Sequence, residues 1–71
     1  MKSDFKIKMG HYIQQERLKK GWTQKHLGEL IGKDHTMISY YETGKNEPSA
    51  PTMRKLSKLF GCSINKLFPD A

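Results

Sequence analysis

Apolar residues recur along the chain at spacings of three and four, and Gly21, Gly32, Gly44 and Gly61 cut that pattern into pieces of helical length. No alternation of Val, Ile, Thr or Tyr with polar residues is long enough to propose a strand. The pattern predicts a first helix from about Ile7 to Lys20. Met9, Ile13 and Arg17 share its inner stripe, Tyr12 joins them, and Gly21 ends it. A second helix starts at Thr23, whose hydroxyl can accept from a free N–H of the first turn. It presents Leu27, Leu30 and Ile31 on one face and stops at Gly32. Asp34 caps a third helix, which turns Ile38 and Tyr41 inward and ends near Gly44. After the polar loop Lys45-Asn46-Glu47-Pro48, Ser49 caps a fourth with Pro51 in its first turn, where a missing N–H does no harm. Met53, Leu56, Leu59 and Phe60 form its stripe and Gly61 ends it. Ser63 then caps a last short turn bearing Ile64, Leu67 and Phe68. The expectation is an all-α fold of five helices, one domain over residues 1–71 with its core at 7–68.

The stretch 24–43 is the most informative. Gly28 lies in the middle of the second helix, where glycine costs about 1 kcal/mol relative to alanine. A position without a side chain there lets another helix backbone approach. Gly32 allows the chain to reverse within the tight turn Gly32-Lys33-Asp34. Leu27, Ile31, Ile38 and Tyr41 then fill the angle between two helices. A small residue, a turn glycine four positions later, and inward Ile38 and Tyr41 together specify a helix-turn-helix.

Composition adds a sign and several exclusions. Thirteen Lys and Arg against seven Asp and Glu give a net charge of +6. That balance suits a domain that meets a polyanion, and equally a domain that is merely soluble. No apolar run approaches the roughly 20 residues that span a bilayer. The N-terminal Met1-Lys2-Ser3-Asp4-Phe5-Lys6 has no apolar core, so it is not a secretory signal. A single cysteine, Cys62, excludes an internal disulfide and a four-cysteine zinc site, and a cytoplasmic location is expected. His11, His26, His35 and Cys62 fall on different segments, with no CxxC, no HExxH and no His pair at i, i+4. No metal site is expected, and no cofactor or small-molecule ligand is evident. A Cys–His nucleophile would need a third orienting group, and Cys62 reads instead as a small hydrophobe, so the chain is not expected to be an enzyme.

From Gly10 to Phe68 the chain resembles the phage-repressor/Cro-type (XRE-like) helix-turn-helix domains of bacterial and phage transcription regulators. The resemblance rests on Ile13…Arg17, Gly21-Trp22-Thr23-Gln24…Leu27-Gly28…Ile31-Gly32, Ile38-Ser39-Tyr40-Tyr41-Glu42-Thr43-Gly44-Lys45 and Pro48-Ser49. It continues through Leu56…Leu59-Phe60-Gly61-Cys62-Ser63-Ile64…Leu67. Two departures are Glu16, where relatives commonly place an apolar residue, and Gly28, more often alanine. The resemblance implies a compact lambda-repressor-like fold that binds double-stranded DNA and regulates transcription, as a repressor, with helix three in the major groove.

The implied base-reading residues are His35, Thr36, Tyr40 and Ser39. His35 can donate to a guanine acceptor, and Thr36 can hydrogen-bond or offer its methyl to thymine. The third helix carries no Arg, Asn or Gln for bidentate pairing, so its preferred operator is not legible. The implied phosphate contacts are Thr23, Gln24, Lys25, Met37, Thr43, Lys45 and Asn46, with Lys33 adding charge nearby. Arg17 and Glu42 match the family's structural ion pair. One such domain reads only a few base pairs, so a weak homodimer on a palindromic operator is expected. Its interface falls to Ile64, Leu67 and Phe68, unless Phe68 simply covers the first helix. A second reading keeps the fold and changes the task, to an antitoxin or protein-binding module that uses the same surface.

Overall fold

The computed structural model describes residues 2–61, with side chains from Phe5 onward. Four α-helices follow in order: α1 (Lys2–Lys19), α2 (Gln24–Ile31), α3 (His35–Thr43) and α4 (Ala50–Phe60). No strand occurs among the described residues. The fold is all-helical, with four helices there rather than five. The expected last turn with Ser63, Ile64, Leu67 and Phe68 lies outside the described residues.

Helix α1 begins at Lys2, not at Ile7. Phe5 sits one turn before Met9 and packs against the core, so the buried stripe reaches back past the polar Lys2-Ser3-Asp4 that concealed it. The caps of the next two helices are as the residue types specify. Thr23 Oγ1 accepts from the His26 amide at 3.0 Å, and Asp34 Oδ1 from the Met37 amide at 2.9 Å. Ser49 behaves differently. It occupies the N-cap position of α4, but its hydroxyl donates to Thr52 Oγ1 at 3.1 Å and caps no backbone N–H. Thr52 is buried and also hydrogen-bonds the Tyr41 phenol, so the exposed Ser49 hydroxyl ends a polar chain that leads inward through Thr52 to Tyr41 instead of capping the helix.

Met9, Ile13, Leu27, Ile31, Ile38, Tyr41, Met53, Leu56 and Phe60 close one core contributed by all four helices. Leu59 is only partly buried at its edge. Leu30 departs from expectation: at 41% exposure it points outward, because Leu27 and Ile31, one turn apart, already occupy the inner face of the short α2.

A close backbone approach between helices falls at Gly10. A Cβ there would collide with the Tyr41 carbonyl oxygen and lie 2.8 Å from that of Glu42, so α1 crosses the last turn of α3 backbone to backbone. Gly28 has another role than the expected helix crossing. Its missing Cβ makes room for the carbonyl of Lys33, where the turn folds back, and the Lys33 amide donates to the Gly28 carbonyl at 2.8 Å. Gly32 takes the left-handed φ of 77° that this reversal needs. The turn thus packs α2 beside α3, while Gly10 lets α1 fix α3 from behind.

Two outcomes follow from this packing. Gly10→Ala should lower stability by about 1–3 kcal/mol through overpacking, although alanine is the better helix former. A urea midpoint equal to or above that of the native chain would show that the helices are not so close. Burial raises the Tyr41 phenol above its ordinary value of 10.0, and the Thr52 hydrogen bond offsets part of that rise. The folded chain keeps a proton that the unfolded chain gives up near pH 10, so this group's contribution is lost as pH rises beyond 10. Tyr41→Phe should therefore show a flatter alkaline limb in the dependence of melting temperature on pH.

Candidate nucleic-acid interface

Helices α2 and α3 begin at Gln24 and His35, each just after a cap whose side chain takes the amide of the third helical residue. The amides of the first two residues, Gln24 and Lys25 on α2 and His35 and Thr36 on α3, have no helical carbonyl to meet. Such helix starts carry partial positive charge and suit a phosphate. Exposed Lys25 and Lys33 add full charges beside them.

On the outer face of α3, His35 and Thr36 are exposed, whereas Ser39 and Tyr40 are half-buried. Tyr40 is held from one side, with Lys45 Nζ 5.1 Å from its ring centroid. Thr43, also exposed, donates its hydroxyl to the Ser39 carbonyl at 2.9 Å. A phosphate only accepts, so Thr43 has to turn that proton away from its own helix to grip one. Asn46 Nδ2 lies 3.5 Å from Met37 Sδ, which ties the loop after α3 to the helix. The amides of Lys45 and Asn46 both donate to the Tyr40 carbonyl, at 2.9 and 3.3 Å. The residues expected to contact phosphate therefore form two groups. Thr23, Gln24 and Lys25 lie at the start of α2, and Thr43, Lys45 and Asn46 at the end of α3, with Met37 packed between the latter group and the core.

A buried polar node joins the two groups. Arg17 Nε donates to Glu42 Oε2 at 2.6 Å and Nη2 to Oε1 at 3.2 Å, and the Glu42 side chain is 1% exposed. The remaining arm of the guanidinium, Nη1, donates to the Trp22 carbonyl at 2.7 Å. Gln24 Nε2 donates to Glu42 Oε1 at 3.0 Å. No local pattern signals this last bond, because eighteen residues separate its partners. Among the described residues, no buried side-chain nitrogen or oxygen lacks a partner. Trp22 and His26 meet edge to face at 5.5 Å, with Lys20 Nζ 5.8 Å from the indole. The spacing of four between Trp22 and His26 was the available signal for that contact. No group of three or more His, Cys, Asp or Glu able to hold a metal ion occurs among the described residues. No described helix is long and apolar enough to cross a membrane.

Two short helices packed together and joined by a tight glycine turn, the second exposing polar side chains, define a helix-turn-helix protein. The helix-turn-helix family model matches residues 13–67, and the chain belongs to that family. It is 32% identical over 68 residues to the HTH-type transcriptional regulator PuuR of Escherichia coli (strain K12), a match covering 96% of this chain and 37% of that protein. It is 36% identical over 55 residues to the HTH-type transcriptional activator BcrR of Enterococcus faecalis, covering 78% of this chain and 27% of the activator. The chain thus spans well under half the length of these relatives. Among solved structures, it is similar to the P22 c2 repressor in complex with a synthetic operator. That match has a TM-score of 0.82 and 32% identity, over 89% of this chain and 96% of the repressor chain. It is also similar to the restriction-modification controller protein C.AhdI from Aeromonas hydrophila, with a TM-score of 0.81 and 27% identity, over 94% and 96% of the two chains.

Removing one partner from a buried pair leaves an uncompensated charge and typically costs about 3–5 kcal/mol. Arg17→Met should therefore destabilise strongly, and Arg17→Met with Glu42→Leu should recover much of the loss. Losses that simply add in this double-mutant cycle, followed by denaturant unfolding, would mean that the two side chains do not interact.

Proposed function

We propose that the chain is a sequence-specific, double-stranded-DNA-binding transcription regulator that acts as a repressor, with α3 in the major groove. The observation that carries this reading is the exposed start of α3, His35 and Thr36, together with uncapped amides at the starts of α2 and α3 and the exposed Lys25, Lys33 and Lys45. Similarity to an operator-bound repressor at 32% identity supports it. His35, Thr36, Ser39 and Tyr40 read base edges. Thr23, Gln24, Lys25, Met37, Thr43, Lys45 and Asn46 hold the backbone on either side. Duplex RNA is the poorer partner, since the A-form major groove is too narrow for α3. The protein works in the cytoplasm as a weak homodimer on palindromic sites, with half-sites about 34 Å apart. Ile64, Leu67 and Phe68 supply the contact between copies.

Selection of tight binders from random duplexes tests the reading and yields motif and half-site spacing together. Affinity for the selected site should fall by roughly 10³–10⁵ between 50 and 200 mM salt if six to ten phosphates are contacted per dimer. Lys45→Ala should weaken all sequences about equally and flatten the salt slope by about one. Thr36→Ala and Tyr40→Ala should change the selected motif with little effect on melting temperature. Salt-independent affinity, or a motif untouched by both substitutions, would overturn the placement of α3. No selected duplex at all would favour a protein partner on this surface.

A further inference from the structure

Glu42 spends its carboxylate on more than its ion pair, and the extra bond leads to the proposed DNA surface. Its side chain is 1% exposed and receives three N–H groups: two from Arg17, and one from Gln24 at 3.0 Å. Gln24 is the first residue of α2 and is half-buried. A carboxylate can only accept, so the Gln24 amide must turn its nitrogen, not its oxygen, toward Glu42. The second N–H of that nitrogen is then left as a donor on the partly exposed side. Without Glu42 the amide is free to rotate and can present its oxygen to a phosphate, which repels it. A bare carboxylate so near a phosphate would itself be repulsive, but the Arg17 guanidinium, 2.6 Å from Glu42 Oε2, neutralises it.

Resting on the DNA-binding reading above, we infer that Glu42 is a positioning residue: it fixes the Gln24 amide as a phosphate donor, and Arg17 cancels its charge. The ion pair thereby sets affinity for the duplex as well as stability.

The test compares four forms of the full chain on the selected duplex: native, Gln24→Ala, Arg17→Met with Glu42→Leu, and the triple variant. Each is assayed well below its own melting temperature. Gln24→Ala should weaken binding about tenfold, as expected for one charge-assisted hydrogen bond. The stability-restored double variant should lose about the same factor, and adding Gln24→Ala to it should change nothing further. Native affinity in the double variant, or a full additional loss in the triple variant, would overturn the inference.

A second measurement needs no substitution. In the free ¹⁵N-labelled native chain, one Gln24 side-chain proton should exchange with solvent slowly and the other quickly. Titration with duplex should move the fast proton. Equal exchange of the two would show that Glu42 does not hold the amide. If the native chain binds no duplex, the DNA reading falls and this inference with it. If the native chain binds but the cycle is additive, only the role of Glu42 falls.

Discussion

Glu42 places an almost fully buried carboxylate at the junction of three helices, and such a charge is tolerated only if its oxygens are matched by donors of fixed geometry. The donors come from different elements. Arg17 lies near the end of α1, and Gln24 begins α2. Glu42 itself sits at the end of α3, while the third arm of Arg17 reaches the Trp22 carbonyl in the link between α1 and α2. An apolar cluster of the same volume would hold these elements with similar or greater stability. It would not fix their register, because apolar contact is non-directional. The node therefore constrains the relative placement of the start of α2 and the end of α3, the two segments proposed to hold phosphate.

Glu42 takes part in a second constraint through its main chain. Its carbonyl lies under Gly10, where the absence of a Cβ lets α1 and α3 touch backbone to backbone. Arg17 follows Gly10 by seven residues, about two helical turns, and so returns to the same side of α1. The close crossing brings that side of α1 toward α3, and the guanidinium spans the remaining gap to the carboxylate. Crossing and ion pair thus act on one residue, the first setting separation and the second setting orientation. Ile13, midway between Gly10 and Arg17, is fully buried in consequence.

The sequence made the helix boundaries legible wherever a boundary has local chemistry. Thr23 and Asp34 cap as their side chains require, and the apolar spacing marked the inner faces of α2, α3 and α4 apart from Leu30. It failed where the cause lies elsewhere in the chain. Lys2-Ser3-Asp4 reads as a polar tail until Phe5 is seen packing on the core. Gly28 drew the helix-crossing role because it interrupts a good helix, yet the turn backbone explains it, and the crossing belongs to Gly10. Ser49 has the residue type of a cap, and only the nearby Thr52 diverts it. Within the site, residue types and the family resemblance picked out the segments. They did not reveal that Gln24 answers to Glu42, a contact across eighteen residues that no spacing rule supplies, whereas the bond from Thr43 to the Ser39 carbonyl follows the ordinary i to i−4 helical spacing.

Those internal bonds divide the surface into two kinds of side chain. His35 and Thr36 stand exposed at the start of α3, free to choose rotamers against a ligand. Asn46 is held against Met37 and Gln24 against Glu42, while Lys45 lies over the Tyr40 ring. Ordering a flexible side chain on binding costs roughly 0.5–1.5 kcal/mol, so groups already held give up less when they meet a partner. Such groups suit contacts that recur at every site, because their geometry need not adapt. A repeating phosphate backbone is a target of that kind, whereas base edges change from one operator to the next. Under the proposed function, the held side chains would give a fixed grip on the backbone, and exposed His35 and Thr36 an adjustable reading of sequence.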